Sequence, residues 1–372
     1  MRSAAPWLTC AAAALLLAAG SFVRADDRVR AAPRRPGAPA SAPAAAPAPA
    51  PAKPAAAARE RERAPSQRYV SVPDLAKRLG LKFTQTAPRQ WRLTRGTTKI
   101  ELETDSREIT VDGLRLFLGA AAVIRDGELH LNQFDADRTV GPLARPDILK
   151  VRPDKPKVIA LDPGHGGVDN GMENKELGLK EKVLTLDVAQ RLKKILTARG
   201  YKVVLTRNDD RQLGPDKASD FLRRSQIANA ASADLLVSIH FNSLYPDTKT
   251  SGTEVYTFTP QFQRSTRALS AGEQDDTERE PAPVNRYDGW SAILAHAIHR
   301  EVIASLKTSD RGQKTMHSAV LRGLNCPGVL VEAVFLSNPA EGKKAATAAY
   351  RQQMAEAIAA GIDDYAGVVG NK

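Results

Sequence analysis

The sequence predicts an α/β fold, with a twisted and mostly parallel sheet flanked by helices, preceded by a small β-rich accessory domain. From Lys157 onward, short apolar runs alternate with segments whose apolar residues recur at helical spacing, which is typical of layered α/β domains. Between residues 67 and 135, apolar and polar residues alternate around turn dipeptides such as Asp112-Gly113, as in β-hairpins. Before residue 67, large apolar side chains are rare outside one short run, so no core is expected there.

Residues 1–25 have the pattern of a signal peptide. A basic residue near the start is followed by an apolar run over residues 11–19 and by small residues around Ala25, where cleavage is expected. The run has about half of the roughly 20 apolar residues that a membrane-spanning helix needs. Cys10 precedes the run, which argues against a lipid anchor at the cleavage point. We therefore predict export to the periplasm or cell wall, without an integral membrane segment after cleavage.

Residues 26–66 are dominated by alanine, proline and arginine and are predicted to be a disordered tether. The formal net charge of the chain is +12, and such a basic balance often indicates nucleic-acid binding. An exported protein instead meets anionic wall polymers and membrane surfaces, so nucleic acid is not the expected partner. After loss of Cys10, Cys326 is the only cysteine. This excludes an internal disulfide and a zinc site built from several cysteines.

Residues 67–135 are predicted to form the accessory domain. The YVSVPDLAKRLG stretch, the short strands and the ITVDGLRLFLG stretch resemble the copper amine oxidase N-terminal-like domain. A copper role does not follow, because His130 is the only histidine of this segment and copper prefers several imidazoles. Residues 136–156 contain four prolines and are predicted to be a linker. The tether and the accessory domain are expected to hold the protein near an anionic wall or membrane surface.

The α/β domain is predicted to span residues 157–368. Its strands are short apolar runs, and its helices have apolar residues at intervals of three and four. Strands are predicted at 158–161, 203–205, 235–239, 253–258 and 329–334, and helices at 181–199, 219–231, 291–306 and 350–362. The stretch 259–288 is acidic and poor in apolar residues, which predicts a solvated loop. Loops of this length in compact domains are often functional.

Two histidines and one glutamate follow or flank the predicted strands of this domain. His165 lies in a DPGHGG loop directly after the first strand, His240 ends another strand in SIHFN, and Glu181 opens the first helix. Loops at the carboxyl ends of parallel strands form the usual ligand crevice of such sheets. Two imidazoles and one carboxylate form a zinc ligand set that leaves a fourth position for water. Glu173 and Glu176 lie in the same loop and are rival candidates for the carboxylate ligand.

Several separated motifs of this domain resemble one known family, the zinc-dependent N-acetylmuramoyl-L-alanine amidases whose first loop reads DPGHGG. The resemblance runs from about residue 157 to residue 366 and covers over half of the chain. It implies the phosphorylase/hydrolase-like amidase fold of that family. The motifs follow one another in the order LDPGHGG, LKEK, LTR, RRSQIAN, SIHFN and PGVLVEAVFLSN.

The resemblance also implies roles for particular residues. It implies that His165, Glu181 and His240 bind zinc and that Glu332, near the end of a predicted strand, is catalytic. Zinc lowers the pKa of its bound water and polarises a carbonyl group, and Glu332 would pass the water proton to the leaving amine of L-alanine. The cleaved bond would join N-acetylmuramic acid to L-alanine in peptidoglycan, for cell-wall remodelling or daughter-cell separation.

Further residues are candidates with open alternatives. Asn242 and Arg207 are candidate substrate contacts, although a buried ion pair of Arg207 with a nearby aspartate is an equal alternative. His296 and His299 are three residues apart on one predicted helix and therefore neighbours on its surface, but no acidic partner is placed with them for a second metal site. A regulatory protein partner is possible, since some relatives have a blocking helix near residues 259–288. Two prolines and the lack of an apolar stripe argue against a stable blocking helix here.

Two other functions are considered. A non-catalytic peptidoglycan-binding regulator could have the same fold, and a zinc carboxypeptidase would use the same metal chemistry on a bond of the peptide stem. The complete ligand set together with Glu332 favours an enzyme over a regulator. The family motifs favour the muramoyl–alanine bond over a bond within the peptide.

Overall fold

The computed structural model describes residues 68–266, 277 and 280–370, so the predicted signal peptide and tether lie outside the described residues. No helix of the described ranges is both long and apolar enough to cross a membrane. The strands are β1 (Tyr69–Ser71), β2 (Lys82–Ala87), β3 (Gln90–Arg95), β4 (Thr98–Glu103), β5 (Glu108–Val111), β6 (Leu114–Phe117), β7 (Val123–Arg125), β8 (Glu128–Asn132), β9 (Val158–Pro163), β10 (Glu173–Asn174), β11 (Leu179–Lys180), β12 (Lys202–Leu205), β13 (Leu235–Asn242), β14 (Thr253–Phe258), β15 (Asp310–Met316) and β16 (Gly328–Phe335). The helices are α1 (Val72–Leu79), α2 (Gln133–Asp135), α3 (Gly141–Ala144), α4 (Glu181–Ala198), α5 (Lys217–Ala230), α6 (Asp288–Leu306), α7 (Ala319–Arg322), α8 (Pro339–Ala346) and α9 (Ala348–Gly370), with a π-helical turn at Ala136–Val140 and 3-10 turns at Pro146–Ile148 and Pro283–Tyr287.

One sheet of 11 strands runs through the described part of the chain, in the order β12-β9-β13-β16-β14-β15-β6-β5-β4-β3-β2. In the α/β domain, β9 pairs in parallel with β12 and β13, β13 with β16, and β14 with β15. Strands β14 and β16 pair antiparallel, and β10 and β11 form a separate short antiparallel pair outside the large sheet. The predicted mostly parallel sheet is therefore confirmed.

Helices cover the sheet of the α/β domain. Helix α4 buries Leu184, Val188, Leu192 and Leu196, which have the spacing of an amphipathic helix that packs on a core. Helix α6 is buried along most of its length and packs against α9. The apolar side chains of these helices form one core with β9, β13 and β16, so the ends of these three strands are held on a rigid support.

The accessory domain is β-rich, as predicted, but it shares the large sheet. Strands β2 to β6 form an antiparallel meander, and α1 packs Val72, Leu75 and Leu79 into the core of this domain. Strand β6 also pairs with β15 of the α/β domain, where Leu116 is opposite Gln313. The accessory domain is therefore continuous with the α/β domain, which the sequence did not predict.

Residues 136–144 and 146–148, part of the predicted linker, are helical. Ala136, Val140 and Ala144 are buried in the core of the accessory domain. These three residues are four positions apart, so they form one apolar side of the helical segment. Prolines in this segment lie in the first turns of α3 and of the following 3-10 turn, where a missing backbone N–H is tolerated. Two of the four prolines that suggested a linker therefore mark the starts of helical turns.

The predicted solvated loop between β14 and α6 is described only in part. Gln263 and Ser265 are buried, and Nε2 of Gln263 donates a hydrogen bond to Oδ1 of Asp135 in the accessory domain (2.8 Å). This first part of the segment is therefore packed between the two domains and is not solvated. Most of the acidic stretch, including residues 267–276, lies outside the described residues.

Candidate active site

The DPGHGG loop begins at the carboxyl end of β9. His165 has φ +61°, and two glycines allow the side chains around it to approach closely. A Cβ atom at Gly164 would lie 2.3 Å from Cε1 of His240, and one at Gly171 would lie 2.5 Å from Oε2 of Glu181. Any larger residue at these two positions would therefore separate the three side chains from the loop that brings them together.

His165, Glu181 and His240 form one cluster at the ends of β9 and β13 and the start of α4. Nε2 of His165 is 3.1 Å from Oε2 of Glu181, and Nδ1 of His240 is 3.1 Å from Oε1 of the same carboxylate. The ligand atoms of the three residues all lie within 4.8 Å of one another. Within the described ranges, this is the one group of histidine, cysteine and acidic side chains that could hold a metal ion.

Glu181 is held as a charged carboxylate. It is buried, and its oxygens accept hydrogen bonds from the backbone N–H groups of Phe241 (3.0 Å) and Met172 (2.8 Å). Burial raises the pKa of this carboxyl group. The two neighbouring imidazoles lower the pKa by a larger amount, so that it lies well below its usual range. A metal ligand must be deprotonated, so this environment suits metal binding. The rival candidates Glu173 and Glu176 are exposed and do not belong to the cluster.

Asp169 orients His165 and was not singled out from the sequence. Its Oδ2 lies 2.9 Å from Nδ1 of His165, and its Oδ1 accepts a hydrogen bond from the backbone of Gly171 (3.0 Å). Nε2 of His165 is thereby left facing Glu181. Burial lowers the pKa of His165, but the carboxylates of Asp169 and Glu181 raise it to about 9. The signal for Asp169 was its position four residues after the histidine in the same glycine-rich loop.

Glu332 lies next to the cluster in a row of side chains that crosses three strands. His240 of β13 pairs with Glu332 of β16, which in turn pairs with Glu254 of β14. Directly opposite residues on adjacent strands lie on the same face of a sheet. Oε2 of Glu332 is buried and has no hydrogen-bond partner among the described residues. Burial, followed by the charges of Glu181 and Glu254, raises the pKa of Glu332 well above its usual value.

Arg207 does not face the crevice, in contrast to its interpretation as a substrate contact. It is 1% exposed and lies beneath the DPGHGG loop. An arginine fork can satisfy several buried carbonyl groups at once, and here it supports the loop rather than a ligand. The guanidinium group donates hydrogen bonds to the backbone oxygens of Pro163, Gly164, Lys182 and Asp209.

Replacement of Arg207 by lysine is expected to lower the free energy of unfolding by about 3 kcal/mol. One ammonium group cannot reach all of these carbonyl groups, and a buried polar group left without a partner costs roughly 1–3 kcal/mol. Urea denaturation measures the change, with Arg223→Lys as a control, because Arg223 is exposed on α5. Unchanged stability of the Arg207→Lys protein together with a raised KM would restore the interpretation as a substrate contact.

Asn242, the other candidate substrate contact, ends β13 and is half-buried. Its Nδ2 donates a hydrogen bond to Oε2 of Glu254 (3.1 Å), and its Oδ1 accepts one from the backbone N–H of Ser243 (2.8 Å). The amide group is thus oriented by the protein two residues after His240. Its contact with substrate stays a prediction.

His296 and His299, considered as a second metal pair, lie in α6 and are not part of a metal-type cluster in the described chain. Nε2 of His299 is 2.7 Å from Oδ1 of Asp310 at the start of β15. Burial lowers the pKa of His296 to about 4, so this ring is neutral at physiological pH. The two histidines belong to the packing of α6 against the sheet.

The fold and the site together define an α/β protein with the side chains of a metal-dependent hydrolase at the carboxyl ends of its parallel strands. The family model of N-acetylmuramoyl-L-alanine amidase (Amidase_3) matches residues 159–364, which is more than half of the chain. The chain therefore belongs to the N-acetylmuramoyl-L-alanine amidase family.

Named relatives match a similar share of the chain. An uncharacterized cell wall amidase of Bacillus anthracis is 34% identical over 210 residues, which cover 56% of this chain and 35% of that protein. The germination-specific N-acetylmuramoyl-L-alanine amidase of Bacillus subtilis is 31% identical over 218 residues, covering 56% of this chain and 79% of that protein. The chain thus spans about a third of the length of the first relative. A crystal structure of an N-acetylmuramoyl-L-alanine amidase from Clostridium difficile is 30% identical, with a TM-score of 0.46, covering 57% of this chain and 97% of that one.

Proposed function

We propose that this chain is an exported, zinc-dependent N-acetylmuramoyl-L-alanine amidase that hydrolyses the amide bond between N-acetylmuramic acid and L-alanine in peptidoglycan. The observation that supports this most is the row in which the His–Glu–His cluster lies beside Glu332, whose carboxyl oxygen Oε2 is buried and has no partner among the described residues. Such a group reduces stability, and a protein that only binds peptidoglycan has no use for it. This substrate is consistent with export to the periplasm or the cell wall.

The donor atoms of the cluster fit zinc. Two imidazole nitrogens and a carboxylate oxygen, from His165, His240 and Glu181, face one another across 4.8 Å or less, and catalytic zinc sites use such sets. Asp169 would hold the His165 ring in place, as carboxylates hydrogen-bonded to metal-binding histidines do. When bound, zinc lowers the pKa of a coordinated water to about 7 and polarises the substrate carbonyl.

Glu332 is placed to move a proton during hydrolysis. Its raised pKa suits a group that accepts a proton from the attacking water near neutral pH and gives it to the leaving nitrogen of L-alanine. No hydrogen-bond donor of the described chain holds the carboxyl group at Oε2, so this oxygen is free to accept a proton. His240 and Glu332 are strand neighbours, which keeps the proton carrier and the cluster at a constant separation.

Zinc binding is expected to weaken as the pH falls. His165 must be neutral to bind zinc, and its pKa is raised from the ordinary 6.5 to about 9. Below pH 9, zinc therefore displaces a proton from this ring, and the apparent affinity should fall about tenfold for each unit of pH. Competition with a chromophoric chelator from about pH 6.5 to about pH 9 measures this slope. An affinity that does not change over this range would contradict the proton displacement.

Digestion of purified sacculi by the full chain tests the proposed reaction. An amidase releases complete stem peptides with a new amino group on L-alanine and leaves the glycan strands uncut. A carboxypeptidase would release only D-alanine, and a regulator would bind without releasing anything. Chelator treatment should stop the release and zinc should restore it. Release of D-alanine alone, or no release by zinc-loaded protein, would contradict the proposed function.

A further inference from the structure

We propose that Glu254, Arg311 and Lys314 form a positioning group for Glu332 and that the accessory domain holds this group in place through β6. The inference rests on the proposed amidase function. It gives the accessory domain a role in turnover itself, in addition to any role in holding the protein near the cell wall.

Glu254 extends the row of the active site by one strand. It lies directly opposite Glu332 in the pairing of β14 with β16, and its side chain is only 4% exposed. Like charges at directly opposite positions repel each other, and the burial of Glu254 weakens the screening of this repulsion by solvent. Glu332 can therefore stay next to the cluster only if the charge of Glu254 is compensated and its side chain is held.

Two cations and two further donors hold Glu254. Nε of Arg311 and Nζ of Lys314 each lie 2.7 Å from its Oε1. The hydroxyl group of Tyr256 and Nδ2 of Asn242 donate to its Oε2. Both oxygens are thus occupied, and the buried charge has the partners that it requires. Because Asn242 ends β13, the same carboxylate links the strand of His240 to β14, and the strand of Glu332 lies between these two.

The accessory domain packs against the strand that carries these two cations. Arg311 and Lys314 lie on β15, which pairs with β6. The ring of Phe117, at the end of β6, has its centroid 5.4 Å from Nζ of Lys314. A Cβ atom at Gly312 would lie 2.7 Å from the same ring, so Phe117 packs directly on the backbone between the two cations. Lys314 is 8% exposed, and the ring thereby strengthens its attraction to Glu254 by excluding water.

Replacement of Lys314 by methionine in the full chain tests the positioning group. We expect kcat on soluble muropeptides to fall about tenfold, within the range of couplings between contacting residues, while KM and zinc content stay unchanged. The conservative Lys314→Arg change should retain most of the rate. A wild-type kcat for Lys314→Met would overturn this inference but not the amidase function. Absence of turnover in the wild-type protein in the same assay would overturn both.

A double-mutant cycle separates charge compensation from general structural damage. In Lys314→Met the charge of Glu254 lacks one of its two cations, and Glu254→Gln removes that charge. The double variant is therefore expected to have a higher kcat than Lys314→Met alone. Rate losses that multiply independently in the double variant would show that the two residues act separately and would overturn the inference.

Two matched phenylalanine variants test the contribution of the accessory domain. Phe117 and Phe83 are both half-buried in this domain, but Phe83 lies on β2, the far edge of the sheet. We expect Phe117→Leu to lower kcat several-fold, within the range of couplings between contacting residues. Phe83→Leu should leave kcat unchanged. Both variants should lose a similar amount of melting temperature. Equal rates for the two variants would overturn the proposed link between β6 and the active site.

Discussion

Replacement of His165 or His240 by alanine is expected to remove nearly all bound zinc and to reduce amidase activity to the background. Each imidazole is one of three ligands whose donor atoms lie within 4.8 Å of one another. Loss of one leaves two protein ligands, fewer than catalytic zinc sites have. The wild-type protein is expected to hold about one zinc ion per chain, which elemental analysis of dialysed protein measures together with the rate of muropeptide cleavage.

His130→Ala is a suitable control for these two variants. His130 lies on β8 of the accessory domain and should not affect zinc content or activity. Because Glu181 loses a hydrogen-bonded imidazole in either site variant, unfolding of the metal-free proteins should be compared as well. Wild-type zinc content in the His165→Ala protein, or a wild-type protein without zinc after growth with added zinc, would show that the cluster is not the metal site.

Replacement of Glu332 by glutamine is expected to lower kcat by roughly 10²- to 10⁴-fold, the usual contribution of a general acid–base group. Zinc content should not change, since Glu332 is not one of the three clustered ligands. The melting temperature should not fall, because a neutral amide of the same size replaces a buried carboxyl group that lacks a partner at Oε2. Loss of rate without loss of stability is the result that distinguishes a catalytic residue from a structural one.

Glu173→Gln provides the matched control for this variant. Glu173 is exposed in the loop that leads to Glu181, and we expect its replacement to leave both zinc content and rate unchanged. Normal turnover of the Glu332→Gln protein would mean that another carboxylate moves the proton. Reduced zinc content of the Glu173→Gln protein would mean that the loop supplies a different ligand from the one the structure indicates.

The three clustered residues could be predicted together because each belongs to a local pattern. His165 and His240 directly follow or end apolar runs, and Glu181 opens an amphipathic helix. Parallel strands bring their carboxyl ends to the same edge of a sheet, so this placement follows without knowledge of the full strand order. Asp169 could have been included for the same reason, because it lies in the same loop as His165.

Arg207 shows where such reasoning fails. Its motif marks a position near the end of β12, but the motif does not show whether the side chain turns toward the crevice or beneath the loop. The structure places it beneath the loop, because the turn of DPGHGG leaves backbone carbonyl groups buried. Buried carbonyl groups need donors, and the need becomes visible only when the loop is folded against its neighbours.

Strand β15 was not predicted, because its sequence DRGQKTM has no run of apolar residues. It becomes a strand because β14 and β6 pair with it on both sides. The helical segment after the accessory domain was not predicted for a related reason. Its small apolar residues form a weak pattern in the sequence, and they are buried only because they pack into the core of the accessory domain. Pairing and packing with distant residues can override weak local preference in this way.

Local pattern was sufficient for the apolar strands, the amphipathic helices and the three residues of the cluster, because burial imposes a regular spacing on each of these elements. The continuous sheet, the support of Arg207 and the row from His240 through Glu332 to Glu254 depended on the tertiary structure. Neighbours in such a row are far apart along the chain and meet only through the order and register of the strands. Strand order is decided by packing among all elements at once, so no single segment of sequence contains it.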